Sequence, residues 1–180
     1  LVARMLRDKG VNEFVAAAHR LHDEGVVSRF LLVGAPDPMN PTSISLTTLQ
    51  SWHARKGLEW LGWCDDIPAL LEEIDVMCLP SYREGLPKSL IEAAAFGLPI
   101  VTTNTPGCRE VVRHGENGFL VPVGDVTQLA AALKQLIQDR GLRVRMGNRG
   151  AAIAAEEFSS DRVIAETLTL YEELLTSVRT

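Results

Sequence analysis

Two carboxylates, Glu84 and Glu92, stand eight positions apart in the stretch REGLPKSLIEAAAFGLPIV, Arg83 to Val101. Glu84 precedes a Gly-Leu-Pro turn. Glu92 is the only charge after Lys88, in a run of Leu90, Ile91, Ala93, Ala94, Ala95 and Phe96 that reads as a helix packed on both sides. A carboxylate in such surroundings is costly unless donors hold it. A functional role for Glu92 would supply such donors. The plainer alternatives are an i,i+4 surface pair with Lys88, worth about 0.2–0.5 kcal/mol, and, for Glu84, a solvated loop acid. Between the two acids, Pro87 fits the first helical position, where its missing N–H costs nothing. The amides of Lys88, Ser89 and Leu90 then point out of the helix start, an anion site by geometry and dipole. Gly85 lets a ligand approach the backbone. Arg4 and Lys9, ordinary surface cations if taken alone, can close on the same anion, and so many donors suit a diphosphate better than a monophosphate.

The elements that must position these residues follow from the apolar pattern. Six short runs, LVARML, RFLLVG, LEWLG, DVMCLP, PIVTT and GFLVP, read as buried strands. Helical spacing occupies residues 11–24, 66–73 and 87–97 between them, and roughly 125–139, 141–157 and 160–177 after the last. Strands alternating with helices wind right-handed into a parallel sheet covered on both faces. The expectation is an α/β fold, a Rossmann-like three-layer αβα domain with a mostly parallel six-stranded sheet, spanning residues 1–180 as one unit. In such sheets ligands bind past the carboxyl ends of the strands. Those positions are Arg4 to Lys9, Gly34 to Pro38, Gly62 to Asp66, Ser81 to Lys88 and Thr103 to Gly107.

Composition narrows the function. The net charge is −5, with no basic block, which leaves nucleic acid without a footprint. No apolar run approaches the roughly 18 residues of a membrane span. Cys64, Cys78 and Cys108 have neither disulfide-framework nor zinc spacing, which fits a reducing cytosol. The chain opens at Leu1 inside a strand-like run and reads as a fragment whose preceding part is missing. No G-x-G-x-x-G follows a strand, and neither a P-loop nor a G-x-S-x-G elbow occurs. The four histidines lack metal-ligand spacing, and Asp65, Asp66 and Asp75 do not form a receiver-type acidic cluster.

Residues 80–125, PSYREGLPKSLIEAAAFGLPIVTTNTPGCREVVRHGENGFLVPVGD, strongly resemble the C-terminal domain of family-four retaining glycosyltransferases of GT-B architecture. The E-x7-E motif of that family falls on Glu84 and Glu92. The opening ARMLRDKGV looks like the family's GRL…KG segment, with Ala3 where Gly is usual. LEWLGWCDDIPALLEEIDVMCLPS resembles the segment from the nucleobase loop to the motif, so the resemblance runs along essentially the whole chain.

The resemblance implies roles residue by residue. Arg4 and Lys9 would bind a donor diphosphate from one side, and the backbone around Gly85, Leu86, Lys88 and Ser89 from the other. Glu92 would accept ribose hydroxyls, Glu84 would meet the transferred sugar, and main chain near Trp63 and Cys64 would contact the base, with Arg83 a further neighbour. Arg4, Lys9 and Glu84 form the implied catalytic set. Pro87 departs from the family's frequent Gly and removes one amide donor. The implied donor is a UDP-sugar, with no metal and no cofactor. The implied acceptor is a glycan or lipid-linked sugar, held by an N-terminal domain absent from this fragment and faced by the helix at 160–178. The implied setting is bacterial lipopolysaccharide or polysaccharide synthesis in the cytoplasm, with peripheral membrane association of the full-length protein at the inner face. A GT-B nucleotide-sugar epimerase and a non-catalytic nucleotide-binding domain are the alternatives.

Overall fold

Successive side chains along a strand face opposite sides of its sheet, and here both sides are apolar. In β3 (Met77–Leu79), Met77 and Leu79 join one core cluster and Cys78 the other. In β4 (Ile100–Thr103), Ile100 and Val101 divide the same way. Strands buried on both faces belong in parallel sheets whose crossovers are helices. The computed structural model, which describes residues 1–53 and 57–177, has that arrangement. Strand β4 lies between β3 and β5 (Gly118–Val121), parallel to both. β1 (Phe30–Val33) pairs in parallel with β2 (Leu58–Gly62), with a register shift at Leu32/Val33.

Five of the six expected runs thus form strands, in a two-stranded and a three-stranded group. The first run forms no named strand and contributes two isolated bridges, parallel from Val2 to Val33 and antiparallel from Leu6 to Ser43. Ala3 N–H donates to Val33 O at 3.0 Å and Val33 N–H to Leu1 O at 2.9 Å. The chain then leaves strand geometry, because Arg7–Lys9 close into a 3₁₀ turn.

The helices complete three layers. α1 (Val11–Asp23) and α6 (Val126–Gln138) bring Phe14, Val15, Leu21, Leu129, Leu133 and Leu136 to one face. On the other face α4 (Lys88–Ala95) supplies Leu90, Ala93 and Ala94, and α5 (Pro106–Val111) supplies Cys108 and Val111. α7 (Arg140–Glu157) adds Ala154 there and also packs on α4. α3 (Ile67–Glu72) starts at Asp66, whose carboxylate caps the Ala69 amide at 3.0 Å. The periodicity does not announce α2 (Leu46–His53), which buries Leu49 alone, or the six-residue α5 in what reads as loop.

The last helix, α8 (Ser160–Ser177), ends the described chain; residue 178, the expected end of this element, lies outside the described residues. From 160 to 176 every residue is exposed, including Ile164, Leu168, Tyr171 and Leu175 along one stripe. It therefore adds nothing to either core cluster. Deleting residues 159–180 should move the thermal midpoint of this chain by no more than about 2 °C, the shift of a sub-kcal/mol change. A larger drop in a calorimetric melt would mean that α8 is seated on the domain.

Candidate functional site

Past the carboxyl ends of the strands, hydrogen bonds join two loops. The Arg7–Lys9 turn is closed by Gly10, whose φ of 70° is left-handed and whose backbone presses on Pro80; a Cβ there would lie 2.0 Å from Pro80 O. The carbonyl of Asp8 accepts Tyr82 N–H at 2.8 Å and the Ser81 hydroxyl at 2.9 Å. Below them Thr103 Oγ1 donates to Ser81 O, and Thr102 Oγ1 to Leu79 O at 2.6 Å. These buried polar groups are satisfied, so the loop that carries Glu84 leaves the sheet in one conformation.

The result is a cleft of about 670 Å³. Of the residues singled out from the sequence, Arg4, Lys9, Trp63, Cys64, Glu84, Leu86, Lys88 and Ser89 all line it, from three separate segments of the chain. Lys9 Nζ sits 2.6 Å from Glu84 Oε1, and their side chains are only 21% and 11% exposed. Glu84 is therefore not a solvated loop acid. Arg4 Nη1 donates to Asp37 Oδ2 at 2.8 Å. The Trp63 indole, 71% exposed, is steadied by its N–H to Asp65 Oδ1 at 2.7 Å. Cys64 Sγ donates to Asp66 O at 3.4 Å. Cys108 and Cys78 are buried, and burial pushes the Cys78 thiol up to about 12.

Several expectations change. Gly85 and Glu92 are not part of the cleft wall. Helix α4 is not packed on both sides: Ala95 and Phe96 are exposed, and Glu92 shares their outward side. Its carboxylate, 36% exposed, pairs with Lys88 Nζ at 3.3 Å, the i,i+4 alternative. Pro87 is the N-cap, with ψ of 103°, rather than the first helical residue, because its carbonyl already accepts Leu90 N–H at 3.0 Å. Two amides, those of Lys88 and Ser89, therefore remain without an acceptor among the described residues. Arg83 turns away to Asp8 Oδ2 at 3.2 Å.

The sequence reading placed Asp37, Asp65 and Gly107 in the loops past the strand ends but gave none of them a role. Asp37 lies in APDPMNP, where Asp beside Pro reads as turn chemistry. Gly107 carries no signal at all, since its φ is not left-handed; its role is proximity. A Cβ there would lie 1.9 Å from Gly85 O and 2.6 Å from Glu84 O, so α5 abuts the Glu84 loop only because residue 107 has no side chain.

Cations on one wall and an uncapped helix start on another make a site for a phosphate-like anion. Among the described residues no three His, Cys, Asp or Glu side chains converge as a metal-ligand set. Gly107→Ala should cost about 1–3 kcal/mol in urea denaturation, as overpacking does. Gly85→Ala, whose Cβ would meet nothing within 4 Å, should stay within about 0.5 kcal/mol. Equal costs would refute the contact argument.

Comparison with known proteins places this geometry. An α-1,3-N-acetylgalactosaminyltransferase of Campylobacter jejuni, named for N,N'-diacetylbacillosaminyl-diphospho-undecaprenol, is 33% identical over 99% of this chain and 45% of its own length. N-acetyl-α-D-glucosaminyl L-malate synthase of Bacillus anthracis is 32% identical over 97% of this chain and 45% of its own. The chain thus spans about half the length of these relatives. A crystal structure of Anabaena HepE in complex with UDP superposes with a TM-score of 0.80 at 26% identity, covering 93% of this chain and 47% of that one. The fold is the Rossmann-like half domain of GT-B glycosyltransferases. The sequence model of the family Glycosyl transferases group 1 matches residues 1–139, and the chain belongs to that family.

Proposed function

We propose that this chain is the donor-binding half of a retaining glycosyltransferase that uses a nucleoside diphosphate sugar. The observation that carries the reading is the convergence of Arg4, Lys9, Glu84 and the Lys88 and Ser89 amides on one cleft. UDP is the favoured nucleotide because HepE, similar over most of this chain, was crystallised with it. Glycosyl transfer needs a leaving group whose charge is stabilised as the bond breaks. Arg4 and Lys9 perform that task toward the departing diphosphate, and the Lys88 and Ser89 amides hold its other side. Glu84, anchored beside Lys9, meets hydroxyls of the transferred sugar, and Glu92 accepts ribose hydroxyls once Lys88 releases it. The loop at Trp63 and Cys64 takes the base.

Two carboxylates flanking the scissile bond, as in glycoside hydrolysis, are not required here. Retention follows from attack on the face the diphosphate leaves, with that phosphate taking the acceptor proton. The acceptor, a glycan or lipid-linked sugar, would be bound by a second domain, against which the exposed apolar stripe of α8 would pack. The setting is bacterial surface polysaccharide or lipopolysaccharide synthesis, with the whole protein working at the cytoplasmic membrane. That association would be peripheral; no described helix of this chain is long and apolar enough to cross a membrane.

The test is calorimetric titration of this chain with UDP, GDP and ADP. One diphosphate should bind. Lys9→Ala and Glu92→Gln should each weaken it by about 1.5–3 kcal/mol, the scale of hydrogen bonds to charged groups. The same nucleotide should slow labelling of Cys64, which lines the cleft, by a thiol reagent. If no diphosphate binds, or if Lys9→Ala binds like the unaltered chain, the reading is wrong. Transfer by the 180 residues alone should be negligible, and a full rate would contradict the two-domain assignment.

A further inference from the structure

Every cation on the cleft wall already has a carboxylate partner. Arg4 is held by Asp37 at 2.8 Å, Lys9 by Glu84 at 2.6 Å, and Lys88 by Glu92 at 3.3 Å. A diphosphate arriving there therefore meets cations whose charge is already shared with a carboxylate. Glu84 and Glu92 have roles of their own toward a donor, but nothing above assigns one to Asp37.

We infer that Asp37 is an internal competitor for Arg4, which weakens the hold on the nucleotide and speeds its release. The inference rests on the donor-site reading. Asp37 is not a freely moving surface acid, since its loop is tied at several points. Its N–H donates to Ser43 Oγ at 3.0 Å, its Oδ1 accepts Met39 N–H at 3.3 Å, and its carbonyl accepts Asn40 N–H at 2.9 Å. Asn40 Oδ1 in turn accepts Thr42 N–H at 2.9 Å. The loop is also stitched to the cation segment, by Arg7 N–H to Thr42 O at 2.8 Å and Ile44 N–H to Met5 O at 2.8 Å. Oδ2 is the oxygen left to face Arg4, and it takes one nitrogen of the guanidinium fork. The remaining donors of that fork are available to a ligand, and Arg4 keeps more than half of its side-chain surface exposed.

Two opposing effects operate. Holding the fork saves rotamer entropy on binding. Against that, a fixed carboxylate repels a dianion seated a few ångströms away in a half-buried cleft. Repulsion wins, because the fork is restrained at a single nitrogen while a full charge acts on the whole diphosphate. The consequence is asymmetric in the direction turnover needs. A nucleoside diphosphate carries more negative charge than its sugar ester, which is blocked at the terminal phosphate. Asp37 thus disfavours the product more than the donor.

The experiment titrates this chain, Asp37→Asn, Arg4→Ala and the double variant with UDP and with inorganic pyrophosphate. Asn keeps the acceptor for Met39 N–H, and Asp37→Ser, another turn former, serves as a second variant; melts confirm that each is folded. Asp37→Asn should bind both probes on the order of tenfold more tightly, and the gain should shrink in the Arg4→Ala background. Unchanged or weaker binding of UDP by a folded variant overturns the competitor role and leaves the donor reading standing. Tighter pyrophosphate binding without any binding of UDP supports the competitor and overturns the nucleotide reading. Failure of both probes with every form overturns both.

Discussion

One backbone carbonyl, that of Asp8, holds the two halves of the cleft in register. It accepts both the amide of Tyr82 and the hydroxyl of Ser81, joining residues more than seventy positions apart. The cations come from the loop after the first strand run and the acid from the loop after β3, so no local sequence rule relates them. What relates them is that Gly10 presses on the end of β3 and that the Asp8 carbonyl then finds its donors. With those contacts made, Lys9 and Glu84 are brought to ion-pair distance largely out of solvent. Such a pair is strongly destabilised when one partner is removed; it behaves as a unit.

The layered fold was legible because its signal is repeated. Each apolar run is short, most end at Gly, Pro or Ser, and most have helical spacing between them, so errors at single positions do not matter. The three C-terminal helices fall within a residue or two of their expected bounds for the same reason. Elements that bury little were illegible. Helix α2 buries Leu49 alone, and a stripe of one residue has no period. The strand count fell short where the chain turns into 3₁₀ geometry after Leu6, a local choice made by the Asp8 and Gly10 contacts rather than by hydrophobicity.

The site was legible in its membership and less so in its details. Eight residues chosen from motif and position line one cleft. The mistaken details share a cause: they depend on which way a side chain points. Glu92 looks enclosed among Leu90, Ile91, Ala93 and Ala94, yet Ala residues on a helix are as compatible with an outer face as with an inner one, and α4 shows Ala95 and Phe96 to solvent. Glu84 looks solvated because it stands beside Arg83 and Gly85, yet a lysine seventy-five positions earlier encloses it. Burial set by a distant segment leaves no trace in the neighbouring residues. Gly107 is the extreme case, since what makes it necessary is the absence of atoms where two carbonyls pass.

A helix start and two cations make a good anion site but a poor selective one, since any phosphate would satisfy them. Selectivity requires that wrong ligands be left with unsatisfied cost. The carboxylates that partner the cleft cations supply such a cost. An anion that displaces Glu84 from Lys9 leaves a largely buried acid without its donor, and that penalty is relieved only if the ligand brings hydroxyls to the same place. A phosphate alone cannot do so; a sugar diphosphate can. On the proposed donor-site reading, the ion pair beside the anion site couples recognition of the charge to recognition of the sugar. It also explains why a carboxylate stands where simple electrostatics would have placed another cation.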